Sequence, residues 1–530
     1  MLALFGLGLI ATVLRSAEPL PGPVHFQTSD RCFACHNGLA DAAGNDVSIG
    51  LQWSASLMAN SARDPYWQAS VRRETLDLPR SARAIEDECA ACHMPMMRYR
   101  ARLAGRQAEV LRTLALPRSA RDHREGLDGV SCSLCHQISP EGLGSPETWN
   151  GHFHIAEAPA GRGVEFGPQV VDAGRQRIMR SATAGLEPRQ GNHIRRSELC
   201  ASCHTLRTEA LDGQGRVVGS LPEQMPFEEW RHSAFVDRQS CQDCHMPRAQ
   251  GPLTVSSVLG QPHQDMARHV FVGANFLVQR MLDRYRDSLE VTAPSPLLQE
   301  AAARTRDFLA MRSATVHIAT LREGASLRAR VEIRNLGGHK LPTAYPSRRA
   351  WLHVRVLDAT GKVLLESGAL RPDGSIEGND NDIDAARFEP HHREIRSSDQ
   401  VQVYESILRD GAGRVTTSLL AATGYLKDNR LLPEGFDKRS AGPDIAVVGA
   451  AFDDPDFSQG GHVVDYLADA SGREGPFRVE AELLYQPIGH RWALNLAAYD
   501  SVETRRFVSY YTAMREETAT VLARASAQQP

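Results

Sequence analysis

The chain contains no lysine before Lys340, so through most of its first two thirds arginine is the only permanently charged basic side chain. Base composition could explain this. So could function, because the planar guanidinium fork binds carboxylates in pairs. No apolar run approaches the ~20 residues of a transmembrane helix. The short run from Leu2 to Leu14 instead fits the core of a signal peptide over residues 1–17. No basic residue precedes it, and Arg15-Ser16-Ala17 is a poor cleavage site. The alternative is a retained N-terminal anchor, which would bring membrane association. Nor is there a basic excess: 60 Lys and Arg stand against 64 Asp and Glu, for a net charge of -4. That excludes nucleic acid as the main partner, since nothing is left over to neutralise phosphates. Hydrophobic residues make up 42% and charged residues 23%, the balance of a soluble globular protein, and 530 residues are too many for one domain.

Cysteine is absent after Cys244, and none of the ten present is spare. They form five pairs, each followed at once by histidine: Cys32-x-x-Cys35-His36, Cys89-x-x-Cys92-His93, Cys132-x-x-Cys135-His136, Cys200-x-x-Cys203-His204 and Cys241-x-x-Cys244-His245. C-x-x-C-H is the attachment sequence of c-type haem. Two thiols three residues apart lie on one side of a helical turn, where they can meet two vinyl groups on one porphyrin edge. The next residue then offers its imidazole to the iron. A disulfide framework would not place histidine after every second cysteine. Structural zinc needs two pairs per metal, and a thioredoxin-like redox pair would occur once. The spacing therefore predicts five covalent haems with His36, His93, His136, His204 and His245 as proximal ligands. Attachment of this kind follows export, which supports the signal-peptide reading. The propionates of five haems would also give the arginines partners.

The expected architecture is multidomain α+β. A mainly helical, loop-rich haem domain spans residues 24–290, a helical connector 291–312, a β-sandwich 313–500 and a C-terminal helix 501–530. Helices are expected from Pro65 through Arg72, over Met97–Leu114, Phe271–Leu289 and Pro296–Met311, and over Val502–Ala525. Ser139–Gly191, rich in Gly and Pro, reads as loop. Strand-like alternation marks Ala314–Leu321, Ser326–Asn335, Arg349–Leu357, Gln400–Leu408 and Phe477–Gln486. A weak repeat is visible: Trp53-x-x-Ser56-x-Met58 precedes the second motif and Trp230-x-x-Ser233-x-Phe235 the fifth.

A second histidine or a methionine on the far face would make a haem an electron carrier, and an open face would let it bind a small ligand. Fifteen histidines lie outside the motifs. His193, His232, His269 (opening a helix) and His339 (in the turn Asn335-Leu-Gly-Gly-His-Lys-Leu-Pro-Thr343) are the first candidates. His25, His123, His152, His154 and His263 follow. Met58 is the methionine candidate, against core packing as the bland reading. Asp380, Asp382 and Asp384 alternate as calcium ligands do. Ala385 stands where an EF-hand has glycine, so a solvated loop is the stronger reading.

The haem half resembles bacterial multihaem cytochromes c related to the tetrahaem cytochrome that accepts electrons from hydroxylamine oxidoreductase. The matching pieces are Gly129-Val-Ser-Cys132-Ser-Leu-Cys135-His136, Ser197-Glu-Leu-Cys200-Ala-Ser-Cys203-His204 and the two C-x-x-C-H-M-P motifs at His93 and His245. Gly338-His-Lys-Leu-Pro-Thr343 is similar to part of the β-domain that accompanies such cytochromes. The resemblance implies periplasmic or outer-surface electron transfer with mostly bis-histidine haems. Five motifs rather than four, and Met58 where a histidine is usual, depart from it. Two functions remain open: an electron carrier serving redox partner proteins, or a reductase or oxidase of a small nitrogen or sulfur compound at one open haem.

Overall fold

The computed structural model describes residues 26–158 and 161–530. The N-terminal apolar run and His25 lie outside them. No helix among the described residues is long and apolar enough to cross a membrane.

The chain is a mixed α+β protein. Its second half is built on two facing sheets. One orders Val363–Ser367, Arg349–Leu357, Phe477–Gln486 and Thr520–Gln529, with Val403–Tyr404 also paired to Arg349–Leu357. The other orders Glu394–Ile395, Gly461–Asp469, Ser326–Asn335 and Ala314–Glu323. Alternating burial in Ser326–Asn335 turns Leu327, Ala329, Val331 and Ile333 inward, where they join Leu352, Val354, Val479 and Leu483 in one core. That core does not stop at the expected boundary near 312. It takes in Tyr66, Met225 and the helix residues Phe276, Leu277, Met281, Leu298 and Leu309. Phe276–Arg284 and Ser295–Arg312 are the helices that bridge the halves.

Several elements differ from expectation. The Met97–Leu114 segment is two helices, Pro95–Leu103 and Val110–Leu114; Gly105, at φ +66°, ends the first in a left-handed turn that other residues rarely adopt. Ser139–Gly191 is not loop throughout. It contains the helix Ala173–Ala182 and the strands Arg162–Gly167 and Glu187–Gln190, which pair in parallel. Their partners are distant in sequence, so no local pattern marks them. Gln400–Leu408 breaks, because Val403–Tyr404 stays with the first sheet while Ser406–Asp410 joins a separate three-stranded sheet.

The C-terminal helix is shorter than expected. Val502–Ala513 is helical and packs on Pro65–Asp77, with Arg72 paired to Glu503 at 2.9 Å. Residues Thr520–Gln529 are a strand on Phe477–Gln486. Helical periodicity and strand alternation overlap in this short stretch, and the open edge of the sheet decides between them.

A cysteine and histidine cluster as the candidate functional site

All ten cysteines are half-buried, and the five motifs lie side by side. The Cys32 side chain interacts with Cys132, Cys200 with Cys241, and Cys203 with Cys92. Cys135 is close enough to act electrostatically on both Cys200 and Cys203. The first motif therefore meets the third, the third approaches the fourth, and the fourth touches both the second and the fifth.

Two of these junctions are built alike. Ser131 caps the third motif's helix by accepting from the Leu134 N–H at 3.1 Å. Ser240 caps the fifth by accepting from Asp243 N–H at 3.3 Å. The first cysteine of each capped helix then donates its N–H to a serine three residues ahead of the neighbouring motif. Cys132 donates to Ser29 Oγ at 3.2 Å and Cys241 to Ser197 Oγ at 3.0 Å. The sequence carries this signal as Ser-x-x-Cys at 29–32 and 197–200 beside Ser-Cys at 131–132 and 240–241. The same hydrogen bond thus links the third motif to the first and the fifth to the fourth.

Four of the motif histidines are oriented by backbone carbonyls. Nδ1–H of His36 donates to Val255 O at 2.6 Å, that of His93 to Ser61 O at 3.0 Å, that of His136 to Phe166 O at 2.6 Å and that of His245 to Val272 O at 2.5 Å. A proton fixed on Nδ1 leaves the Nε2 lone pair free for a metal. Burial favours the neutral imidazole, pushing His93 and His204 down to about 4. The Trp67 ring also stacks on His93, with centroids 4.3 Å apart and planes 4° from parallel. None of these carbonyl or ring partners is near its histidine in sequence, so sequence reasoning missed them.

The structure sets two of the distal candidates opposite motif histidines. His269 faces His136 with centroids 6.4 Å apart and planes 18° from parallel. His339 faces His245 at 6.2 Å and 18°. An imidazole bound through Nε2 at about 2 Å has its ring centre about 3 Å from the metal, so two on opposite faces of one iron stand about 6 Å apart. Both separations fit one iron between the rings. The Nδ1–H groups of His269 and His339 donate to Ala267 O at 3.1 Å and Lys340 O at 3.0 Å, leaving Nε2 free again. His269 does not open a helix as expected. The helix starts at Phe276 behind the Asn275 cap, so His269 sits in the preceding segment and can turn toward His136.

Other candidates are placed elsewhere. His193 Nε2 meets Ile138 O at 2.9 Å, and His232 Nε2 meets Asp437 O at 3.0 Å. Each bond takes one ring nitrogen and leaves Nδ1, and His193 lies close enough to His136 for the two rings to act on each other electrostatically. His123 is bonded at both nitrogens, to Thr113 O and to Glu290 Oε2. Met58 joins the cluster through its carbonyl, which accepts from Val130 N–H at 3.0 Å. His152 and His154 are exposed, and His263 sits in a two-residue strand beside Leu253. The calcium-like aspartates do not converge. Asp382 pairs with Arg349 at 2.7 Å, Asp380 pairs with Arg387 at 2.6 Å, and Asp384 accepts from Ala386 N–H.

No protein-family model and no curated protein matches the chain. One solved structure, a penta-heme cytochrome c552 from Thermochromatium tepidum, matches over 96% of this chain and 100% of its own, with a TM-score of 0.53 and 17% identity. At that identity the likeness is one of fold: this chain has the fold of that cytochrome across almost its whole length.

Proposed function

We propose that the protein is an exported multihaem c-type cytochrome that passes electrons between redox partner proteins through five covalently bound haems. The observation that carries the reading is the pair of facing imidazoles, His136 with His269 and His245 with His339, each held at the spacing of one iron. Both stand behind C-x-x-C sequences whose thiols would anchor the porphyrins. When bound, haem supplies one-electron exchange at iron. The chain's own residues fix the ligating tautomers, bury the site and set the motifs in contact. The fold of a penta-heme cytochrome supports the count of five. The tetrahaem-family likeness of the motifs supports carriage of electrons.

A second reading, an enzyme at one haem, is favoured by one observation. The Arg348 guanidinium acts on both His204 and His245, near buried Tyr66 and half-buried Tyr345, whose rings are 5.7 Å apart. A cation with hydroxyl groups suits a small oxyanion.

Mass spectrometry of the mature protein, produced with a cytochrome-maturation system, should show five haems per chain. Bare polypeptide mass would defeat the proposal. His269→Ala should convert one haem from low to high spin in the electron paramagnetic resonance spectrum; an unchanged spectrum would remove His269 as a ligand. A parent protein whose high-spin signal shifts with nitrite would favour the enzyme.

A further inference from the structure

The residues that present His339 converge on one buried acid from the other half of the chain. Glu229 is fully buried on the short helix Pro226–Arg231, ahead of the fifth motif. Its Oε2 accepts the Lys340 backbone N–H at 3.0 Å and the Thr343 hydroxyl at 2.5 Å. Its Oε1 pairs with Arg430 at 3.0 Å. Arg430 and Lys340 both reach Asp428, at 2.7 and 2.8 Å. Two cations and two anions thus balance in the buried interior, where each would be costly alone.

The backbone around this quartet leaves His339 little freedom. Asn335 Nδ2 donates to the His339 and Leu431 carbonyls at 2.8 and 3.1 Å, and Leu341 and Leu431 exchange backbone hydrogen bonds at 2.9 Å. Gly338 lies against Trp230 and Phe235, where a Cβ would come within 3.2 Å of the Phe235 ring. The Trp230-x-x-Ser233-x-Phe235 sequence is therefore the seat of the His339 loop.

We infer that Glu229 is a positioning residue that holds His339 opposite His245, so that the β-rich half governs the ligation of the fifth haem. The inference rests on the proposed haem at His245. Removing the Glu229 carboxylate strands the Lys340 N–H and the Thr343 hydroxyl and, with Asp428 left to balance both Arg430 and Lys340, leaves one excess buried positive charge beside the loop. The loop then relaxes and the imidazole withdraws. Glu229 itself touches neither imidazole in this arrangement; it acts through the peptide that follows His339.

The test compares full-length holoprotein carrying Glu229→Gln, Glu229→Ala or His339→Ala with the parent. Haem content is checked first by pyridine haemochrome, and Glu229→Gln, being isosteric, guards against loss of folding in the alanine variant. His339→Ala should show one haem turned high-spin, binding cyanide and restored to low spin by added imidazole. Both Glu229 variants should show the same signature in part: full haem content, a high-spin fraction confined to one haem, cyanide binding and rescue by imidazole. If His339→Ala behaves so but both Glu229 variants stay wholly low-spin with unchanged midpoint potentials, the positioning role is overturned. If His339→Ala leaves the spectrum unchanged, the ligation of the fifth haem by His339 fails, and the inference fails with it.

Discussion

Asp454 is fully buried beneath two imidazoles, and its Oδ2 meets His391 Nε2 at 2.9 Å and His462 Nε2 at 3.1 Å. These are residue types that ligate metals, and they converge closely enough to do so. The surrounding amides assign a different state. Asn429 Nδ2 and Gln402 Nε2 both point at His391 Nδ1, at 3.1 and 3.3 Å. The Asn429 amide cannot turn over, since its Nδ2 also donates to Val403 O and its Oδ1 accepts from Glu405 N–H. Nδ1 is therefore an acceptor, and the proton sits on Nε2, aimed at Asp454. Burial would raise the Asp454 carboxyl pKa, but the bonds from His391 and His462 outweigh it and hold it far below the carboxylate range. Burial also pushes His391 down to about 4. Between pH 6.5 and 4 the unfolded chain thus takes up a proton at His391 that the folded chain refuses. This contribution to stability is full above the ordinary histidine range and shrinks as pH falls toward 4. His391→Gln should remove this contribution, so that the melting temperature of the variant relative to the parent rises as pH falls through that window. Asp454→Asn should cost about 3 kcal/mol in denaturant unfolding, because hydrogen bonds to a buried charge are lost. A cost within error of zero would contradict the reading.

At the scale of elements, local chemistry predicted what local chemistry controls. Asp64-Pro65 opens a helix because the Asp64 carboxylate accepts from Tyr66 and Trp67 N–H and proline suits the first turn. Ser326–Asn335, Arg349–Leu357 and Phe477–Gln486 were legible from alternation, since one face of each is buried. The closing strand was not. Leu522 is buried in the strand, but an apolar residue at that position is equally compatible with a helix, so its hydrophobicity alone could not discriminate. In the strand it belongs to the same core as Tyr485 and Phe507. Leu522→Ala should therefore destabilise the fold by about 3 kcal/mol, measurable by thermal or denaturant unfolding. A neutral result would place this segment outside the core. The cysteine pairs and their histidines were wholly legible, and of the distal candidates His269 and His339 are brought opposite a motif. His193 and His232 looked equally suitable in sequence. Only the folded backbone shows that the Ile138 and Asp437 carbonyls already hold them.

For the whole molecule, the decisive feature is the connectivity of the motifs. The fourth touches the second and fifth, and the third approaches it from the side of the first. On the proposed function, removing the fourth attachment site with Cys200→Ala and Cys203→Ala should divide the remaining haems into separate groups. Rapid-mixing reduction should then split into well-separated phases, whereas loss of the second site should leave the rest connected. Equal single-phase kinetics in both variants would refute this branching. The order along the chain has its own effect on maturation. If the chain is exported N-terminus first, as proposed, it presents all five thiol pairs before the sheets around residue 339 are complete. Attachment at Cys241 and Cys244 can thus precede the arrival of the second imidazole, which makes the last-folded half the step that completes the fifth site.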